Sequence, residues 1–252
     1  MAAALVTGAA RRIGLKIAER LAAAGYDLGL HCSETSYDEA MDAAARLARD
    51  GIKTFVIAAD LQDPAAPAHI VKAAAKALGP LSLLVNNASV FEEDSALSID
   101  PDLWERHFAI NLRAPLLLAQ EFVRQVPEGR KAAIVNIVDQ RVWRPTPQFF
   151  SYSLTKSALW WATRTMAQTF APLGIRVNAV GPGPVLPNTP QGVKGFAEEA
   201  AGVLLRRAVG EAEVADAVLY LAQAPSVTGQ MIAVDAGQHL AWETPDIVAP
   251  KP

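Results

Sequence analysis

Tyr152 and Lys156 stand four residues apart, and Asp139 lies thirteen positions before the tyrosine. At helical spacing a phenol and an ammonium share one face. A nearby positive charge favours the phenolate, so this pair is a candidate acid working near neutral pH. Asp139 adds a carboxyl that can bond a substrate atom or pass on a proton. Its plainer reading is a turn aspartate at a strand end. Two common residues at helical spacing also arise by chance, so the chemistry depends on what holds these groups together.

The elements around them alternate. Short apolar runs at Ala3–Thr7, Asp27–His31, Thr54–Ala58, Leu83–Val85, Ala133–Val138, Arg176–Val180 and Met231–Val234 predict seven strands. Between them, Ile13–Ala24, Tyr37–Arg49, Ala65–Leu78, Leu103–Gln125, Ser153–Ala171 and Glu213–Ala222 carry helical patterns. This order predicts an α/β fold, a Rossmann-type doubly wound parallel sheet with helices on both faces. Gly25, Gly51, Gly79 and Gly174 each follow a helix, where a left-handed cap favours glycine. Residues 1–252 form one predicted domain, with a proline- and glycine-rich irregular segment, around 181–206, expected to be a substrate loop.

The first strand runs into Thr7-Gly8-Ala9-Ala10-Arg11-Arg12-Ile13-Gly14. Glycine at Gly8 and Gly14 permits a tight turn and close backbone approach, and the following helix start offers free N–H groups to a pyrophosphate. Cations at that end oppose the helix dipole unless an anion compensates, so Arg11 and Arg12 point to phosphate. At the end of strand two, His31, Cys32 and Ser33 supply no carboxylate for a ribose 2′-hydroxyl. Ser33, Thr35 and Arg12 can hold a 2′-phosphate, which favours NADPH over NADH, whereas an inward-facing Glu34 would argue for NADH. Asp60, followed by Leu61, is placed to accept from an adenine amino group or to close a turn. Asn87, Ala88 and Ser89 follow strand four, where they line the same predicted cleft.

Composition narrows the remaining classes. The net charge of −3 gives no basic face for nucleic acid. Four scattered histidines and a single cysteine, Cys32, provide neither metal-ligand spacing nor a disulfide framework. The apolar start is too short for a signal peptide or membrane span. The expected location is cytoplasmic.

In order along the chain, Thr7-Gly8…Gly14, Asn86-Asn87-Ala88, Asn111, Tyr152-x-x-x-Lys156, Pro182-Gly183 and Val227-Thr228-Gly229…Val234-Asp235-Ala236-Gly237 resemble the short-chain dehydrogenase/reductase family. Within it, Arg11-Arg12-Ile13-Gly14, Asn87-Ala88-Ser89-Val90-Phe91 and Asp139 are similar to the pteridine reductases, including the dihydromonapterin reductase type. In the wider family a serine or threonine is expected at Asp139. A neutral serine suffices to hold a ketone oxygen, whereas a carboxyl suits reduction at a ring nitrogen.

The resemblance implies hydride transfer from NADPH to a C=N bond of a dihydropterin, with Tyr152 as proton donor. It implies that Lys156 lowers the tyrosine pKa and binds the nicotinamide ribose. Asp139 relays a proton or bonds substrate and Tyr152, and Asn111 holds a water leading from Lys156 to solvent. Phe91 stacks on the pterin ring, and Ser89 and Arg12 contact both pterin and phosphates. Pro182 and Gly183 border the cofactor. The family also implies a homotetramer, and of the adjacent Trp160 and Trp161 one is expected at a subunit contact. Two competing readings are a carbonyl reductase acting on a ketone or 3-oxoacyl substrate, and a non-catalytic nucleotide-sensing protein.

Overall fold

Seven parallel strands form one sheet in the order β3-β2-β1-β4-β5-β6-β7, in a computed structural model that describes residues 2–49, 51–187 and 192–242. The strands are β1 (Ala2–Thr7), β2 (Tyr26–Cys32), β3 (Thr54–Ala58), β4 (Leu83–Asn86), β5 (Ala132–Ile137), β6 (Ile175–Pro182) and β7 (Met231–Val234). Alternate side chains of a strand leave opposite faces of the sheet. Accordingly Ala4 and Val6 of β1 join one core, and Ala3 and Leu5 join the other. The first core is closed by α1 (Arg12–Ala23), α2 (Tyr37–Ala48) and α8 (Glu211–Gln223), through residues such as Ile17, Leu47 and Val218. The second is closed by α3 (Ala66–Leu78), α5 (Ala114–Gln125) and α6 (Phe150–Phe170), through Ile70, Phe122 and Ala167. Burial on both faces explains why the strands read as continuous apolar runs.

Chain order reverses at β1, whose neighbours are β2 and β4, so the loops leaving β1 and β4 diverge and open a crevice at their carboxyl ends. The four expected cap glycines, Gly25, Gly51, Gly79 and Gly174, all have positive φ.

Two elements depart from the sequence reading. The expected helix Leu103–Gln125 begins earlier, as α4 (Pro101–Phe108), and passes through a π-helical turn at Ala109–Arg113 before α5. The segment expected to be irregular holds a helix, α7 (Gly192–Gly202), although glycine at Gly192, Gly195 and Gly202 disfavours one. Residues 188–191 of the expected substrate loop lie outside the described residues. The adjacent tryptophans separate as their spacing requires. Trp160 packs against Val138, Leu159, Ala179 and Met231, whereas Trp161 is 66% exposed.

Candidate active site

The crevice is a continuous cleft of about 770 Å³ running from Ser33 and Thr35, past the start of α1, to Tyr152 and Gly183. At its phosphate end, Gly8 has φ +63°. Arg12 also has positive φ, +53°, at the position where the family fingerprint has glycine. That conformation costs a non-glycine residue roughly 1 kcal/mol. Arg12 and Ile13 line the cleft, and the Arg12 guanidinium reaches Pro187 O at 3.4 and 3.5 Å. The first turn of α1 has neither an acidic residue nor a side-chain cap. Its N–H groups and dipole are therefore available to an anion.

Asn87 ties the two sides of the crevice together. Its amide donates to Thr7 O at 2.8 Å and Gly8 O at 3.1 Å, while the Asn87 and Ala88 N–H groups donate to Thr7 Oγ1. Asp60 lines the cleft and also accepts from Gln62 N at 2.9 Å, so its turn role is present beside its exposure to the adenosine end. Leu61, largely buried, lines the cleft beside it. The Ser33 hydroxyl is 3.0 Å from those of Thr35 and Ser36, and Glu34 is exposed on the same short turn.

His31 is a brace as well as a wall. It is 2% exposed, accepts from Gly8 N at 3.4 Å through Nδ1 and reaches Ala59 O at 3.1 Å through Nε2. Burial pushes its pKa down to about 4, so it is neutral at physiological pH. The unfolded chain takes up a proton near pH 6.5 and the folded chain near 4, so stability falls as pH drops through that window. Two and a half units correspond to roughly 3 kcal/mol. Thermal melts should therefore show the native enzyme losing roughly 4–8 °C between pH 7 and 5. His31→Gln should flatten that slope; parallel slopes would disprove the assignment.

At the other end, β5 delivers Val138 and Asp139 to the cleft floor. Asp139 Oδ1 accepts from Arg141 N at 2.8 Å, capping a short 3-10 turn at Gln140–Val142. Asp139 Oδ2 accepts from Tyr152 Oη at 3.0 Å and from Arg141 Nη1 at 3.3 Å. Tyr152 and Lys156, near the start of α6, are 6% and 2% exposed. Lys156 Nζ donates to Ile137 O at 2.8 Å and stands 5.6 Å from the tyrosine ring centre. Phenol, carboxyl and ammonium thus share one cleft.

The expected effect of Lys156 on Tyr152 is overturned. Burial and then the Asp139 charge push the phenol well above its ordinary pKa, and the opposing charge is that of Arg141. Lys156 itself is pushed down by burial, to about 8, with Asp139 partly compensating. Desolvation outweighs attraction where both groups are sealed from water.

Asn111 has a part in the site that spacing did not reveal. It lies in the π-helical turn, fully buried, and grips the backbone of Val90: Nδ2 donates to Val90 O at 2.8 Å and Oδ1 accepts from Val90 N at 2.8 Å. Oδ1 also accepts from Ser89 Oγ at 3.1 Å. A π turn displaces side chains from helical register and is frequent at functional sites. Here it points Asn111 at the loop carrying Ser89 and Phe91, rather than at its own helix backbone.

Phe91 lines the cleft. Its ring stacks on Phe149 at 4.2 Å and 10°, and meets Tyr152 edge-on at 4.7 Å. Arg141 stands beside this stack, 5.6 and 5.2 Å from the two phenylalanine ring centres. Pro182 and Gly183 border the far wall, and a Cβ on Gly183 would come within 2.6 Å of Asp235 Cα.

A family model described as enoyl-(acyl carrier protein) reductase matches residues 8–239. A short-chain type dehydrogenase/reductase of Picea abies is 31% identical over 93% of this chain and 91% of its own length. The chain belongs to the short-chain dehydrogenase/reductase family. It is therefore an NAD(P)H-dependent oxidoreductase. Among solved members, the FolM alternative dihydrofolate reductase 1 of Brucella canis, complexed with NADP, is 48% identical with a TM-score of 0.93, covering 98% of this chain and 97% of that one. The 3-oxoacyl-[acyl-carrier-protein] reductase FabG of Staphylococcus epidermidis is 28% identical, over 94% of this chain and 98% of its own. Among the described residues, no helix is long and apolar enough to cross a membrane.

Two residues beside Asp139 and Phe91 received no role from the sequence. Arg141 had a legible signal, a cation two places after the strand-end carboxyl. Phe149 had none, because its position against Phe91 accompanies a left-handed backbone, φ +56°, that a phenylalanine rarely adopts.

Proposed function

We propose that this enzyme uses NADPH to reduce a C=N bond of a dihydropterin. The observation that carries the reading is the bond from Tyr152 Oη to Asp139 Oδ2 inside a cleft also walled by Phe91. A neutral hydroxyl suffices beside a ketone. A carboxyl can both accept from the phenol and exchange protons with a ring nitrogen. The 48% identity to a structure named as an alternative dihydrofolate reductase supports the same class.

The cleft fits the cofactor. Gly8, Gly14 and Gly183 line it, and the uncapped start of α1 suits a pyrophosphate. The hydroxyls of Ser33 and Thr35 suit a 2′-phosphate, and the exposed Glu34 is free to turn to solvent. The NADP named in the Brucella canis complex agrees.

When bound, the dihydronicotinamide supplies the hydride. The protein supplies the proton and the geometry. Tyr152, held protonated by its raised pKa, donates its phenolic proton to the nitrogen next to the reduced carbon. Lys156 presents an ammonium to the nicotinamide ribose and offsets the phenolate that forms. Asp139 orients the phenol and assists its reprotonation. Ser89 and Arg12, at the cleft wall, contact the pterin ring, and Phe91 offers it an aromatic face. Asn111 positions that face by fixing Val90.

Steady-state NADPH oxidation with dihydrobiopterin, dihydromonapterin and dihydrofolate, beside simple ketones and a 3-oxoacyl thioester, tests the reading. The kcat/KM for at least one pterin should exceed that for the carbonyl substrates by at least about a hundredfold. The reverse ranking would favour the carbonyl reductase reading that the FabG relative supports.

A further inference from the structure

We infer that Arg141 is a positioning residue that also sets substrate specificity, because one guanidinium ties the Asp139 carboxylate to the Phe91–Phe149 stack. Nη1 meets Asp139 Oδ2 at 3.3 Å, and that oxygen also receives the Tyr152 hydroxyl. Nε reaches Thr146 Oγ1 at 3.4 Å, which steadies the guanidinium from the following loop. The same planar group stands beside the Phe91–Phe149 stack, 5.6 and 5.2 Å from the two ring centres. Its side chain is 17% exposed, so these contacts are shielded from water.

The consequence is geometric. With the Arg141 N–H on Oδ1, loss of the guanidinium leaves Oδ2 the phenol as its one side-chain partner among the described residues, and an aromatic ring on a loop can tilt. Here both are attached to one rigid plane. The proton-handling oxygen and the aromatic wall are thereby kept in fixed relation, which a flat heterocycle bonded at its edge and stacked on its face requires. A small ketone uses the first half of that arrangement and not the second. Lysine can replace the charge beside Asp139 but has no planar fork to reach the carboxylate and span the side of the aromatic stack together. The aromatic half of this inference rests on the dihydropterin reading above; the Asp139 half does not.

Arg141→Met and Arg141→Lys separate the two halves, each assayed with a dihydropterin and with a simple ketone. Arg141→Met should lower kcat for the dihydropterin about ten- to a hundredfold and raise its KM. Arg141→Lys should recover kcat to within about threefold while the dihydropterin KM stays raised several-fold. With the ketone, the KM should be unmoved in both variants. Identical behaviour of the two variants, or wild-type constants in both, overturns the inference. Should Arg141→Met fail to bind NADPH in a fluorescence titration, Arg141→Lys decides alone: a raised dihydropterin KM supports it and an unchanged one overturns it. A wild-type enzyme that turns over ketones but no dihydropterin would sink the substrate reading and the specificity half. Positioning of Asp139 would then be judged on ketone kcat, with recovery by lysine supporting it and no recovery overturning it.

Discussion

Asp139→Ser is expected to lower kcat for dihydropterin reduction by about a hundredfold or more, while ketone reduction is retained or improved. The carboxyl bonds the Tyr152 hydroxyl, the Arg141 guanidinium and the Arg141 backbone N–H. A serine can keep one of them, which is enough to orient the phenol toward a carbonyl oxygen. It cannot exchange protons near neutral pH. The loss should therefore fall on the substrate whose reduction needs a proton at nitrogen. A serine variant with full dihydropterin turnover would remove Asp139 from the mechanism.

The same variant has a second signature. Asp139 is the charge that partly restores Lys156 from the depression caused by burial. In the native enzyme kcat/KM should fall as pH rises through about 8, where the Lys156 ammonium is lost. Removing Asp139 removes the restoring charge, so the midpoint moves to lower pH. A midpoint that stays in place in Asp139→Ser would mean that another group controls the profile.

The contrast between these groups shows what the chain discloses on first reading. Strand positions were legible to within a residue or two because burial on both faces forces runs such as Leu83–Val85 and Ala133–Val135 to be continuously apolar. The convergence of Asp139, Tyr152 and Lys156 was legible because a strand end and a helix start have fixed directions. The sign of the tyrosine shift was not, since charge proximity is visible in spacing and burial is not. The bonds of the Asn111 amide to Val90 eluded the reading for a related reason. A π turn inserts an extra residue without any compositional mark, and that residue decides where the amide points. The left-handed Arg12 and Phe149 were hidden too, because side chains other than glycine rarely occupy that region. What is set by local periodicity could be read; what is set by packing across elements could not.

Gly14→Ala is the variant in which two local rules oppose each other most sharply. In a helix interior, alanine is favoured over glycine by about 1 kcal/mol, so propensity alone predicts a more stable α1. The added Cβ, however, would lie 2.0 Å from Gly8 O and 2.5 Å from Asn87 Nδ2. The first contact is backbone, so no rotamer change relieves it. Overpacking of this kind costs about 1–3 kcal/mol and sometimes more, and the Asn87 bonds that join β1 to β4 would be strained with it. The steric cost wins. Gly14→Ala should lose roughly 4–8 °C in melting temperature, for a net loss near 2 kcal/mol. It should also weaken NADPH binding by at least about tenfold, because the displaced Gly8 loop is the one that faces the pyrophosphate. Gly202→Ala, at the end of α7 with no atom near the added methyl, is the matched control and should bind NADPH normally. Equal behaviour of the two alanine variants in calorimetry and NADPH titration would show that the close approach of Gly14 to Gly8 does not control the phosphate end of the cleft.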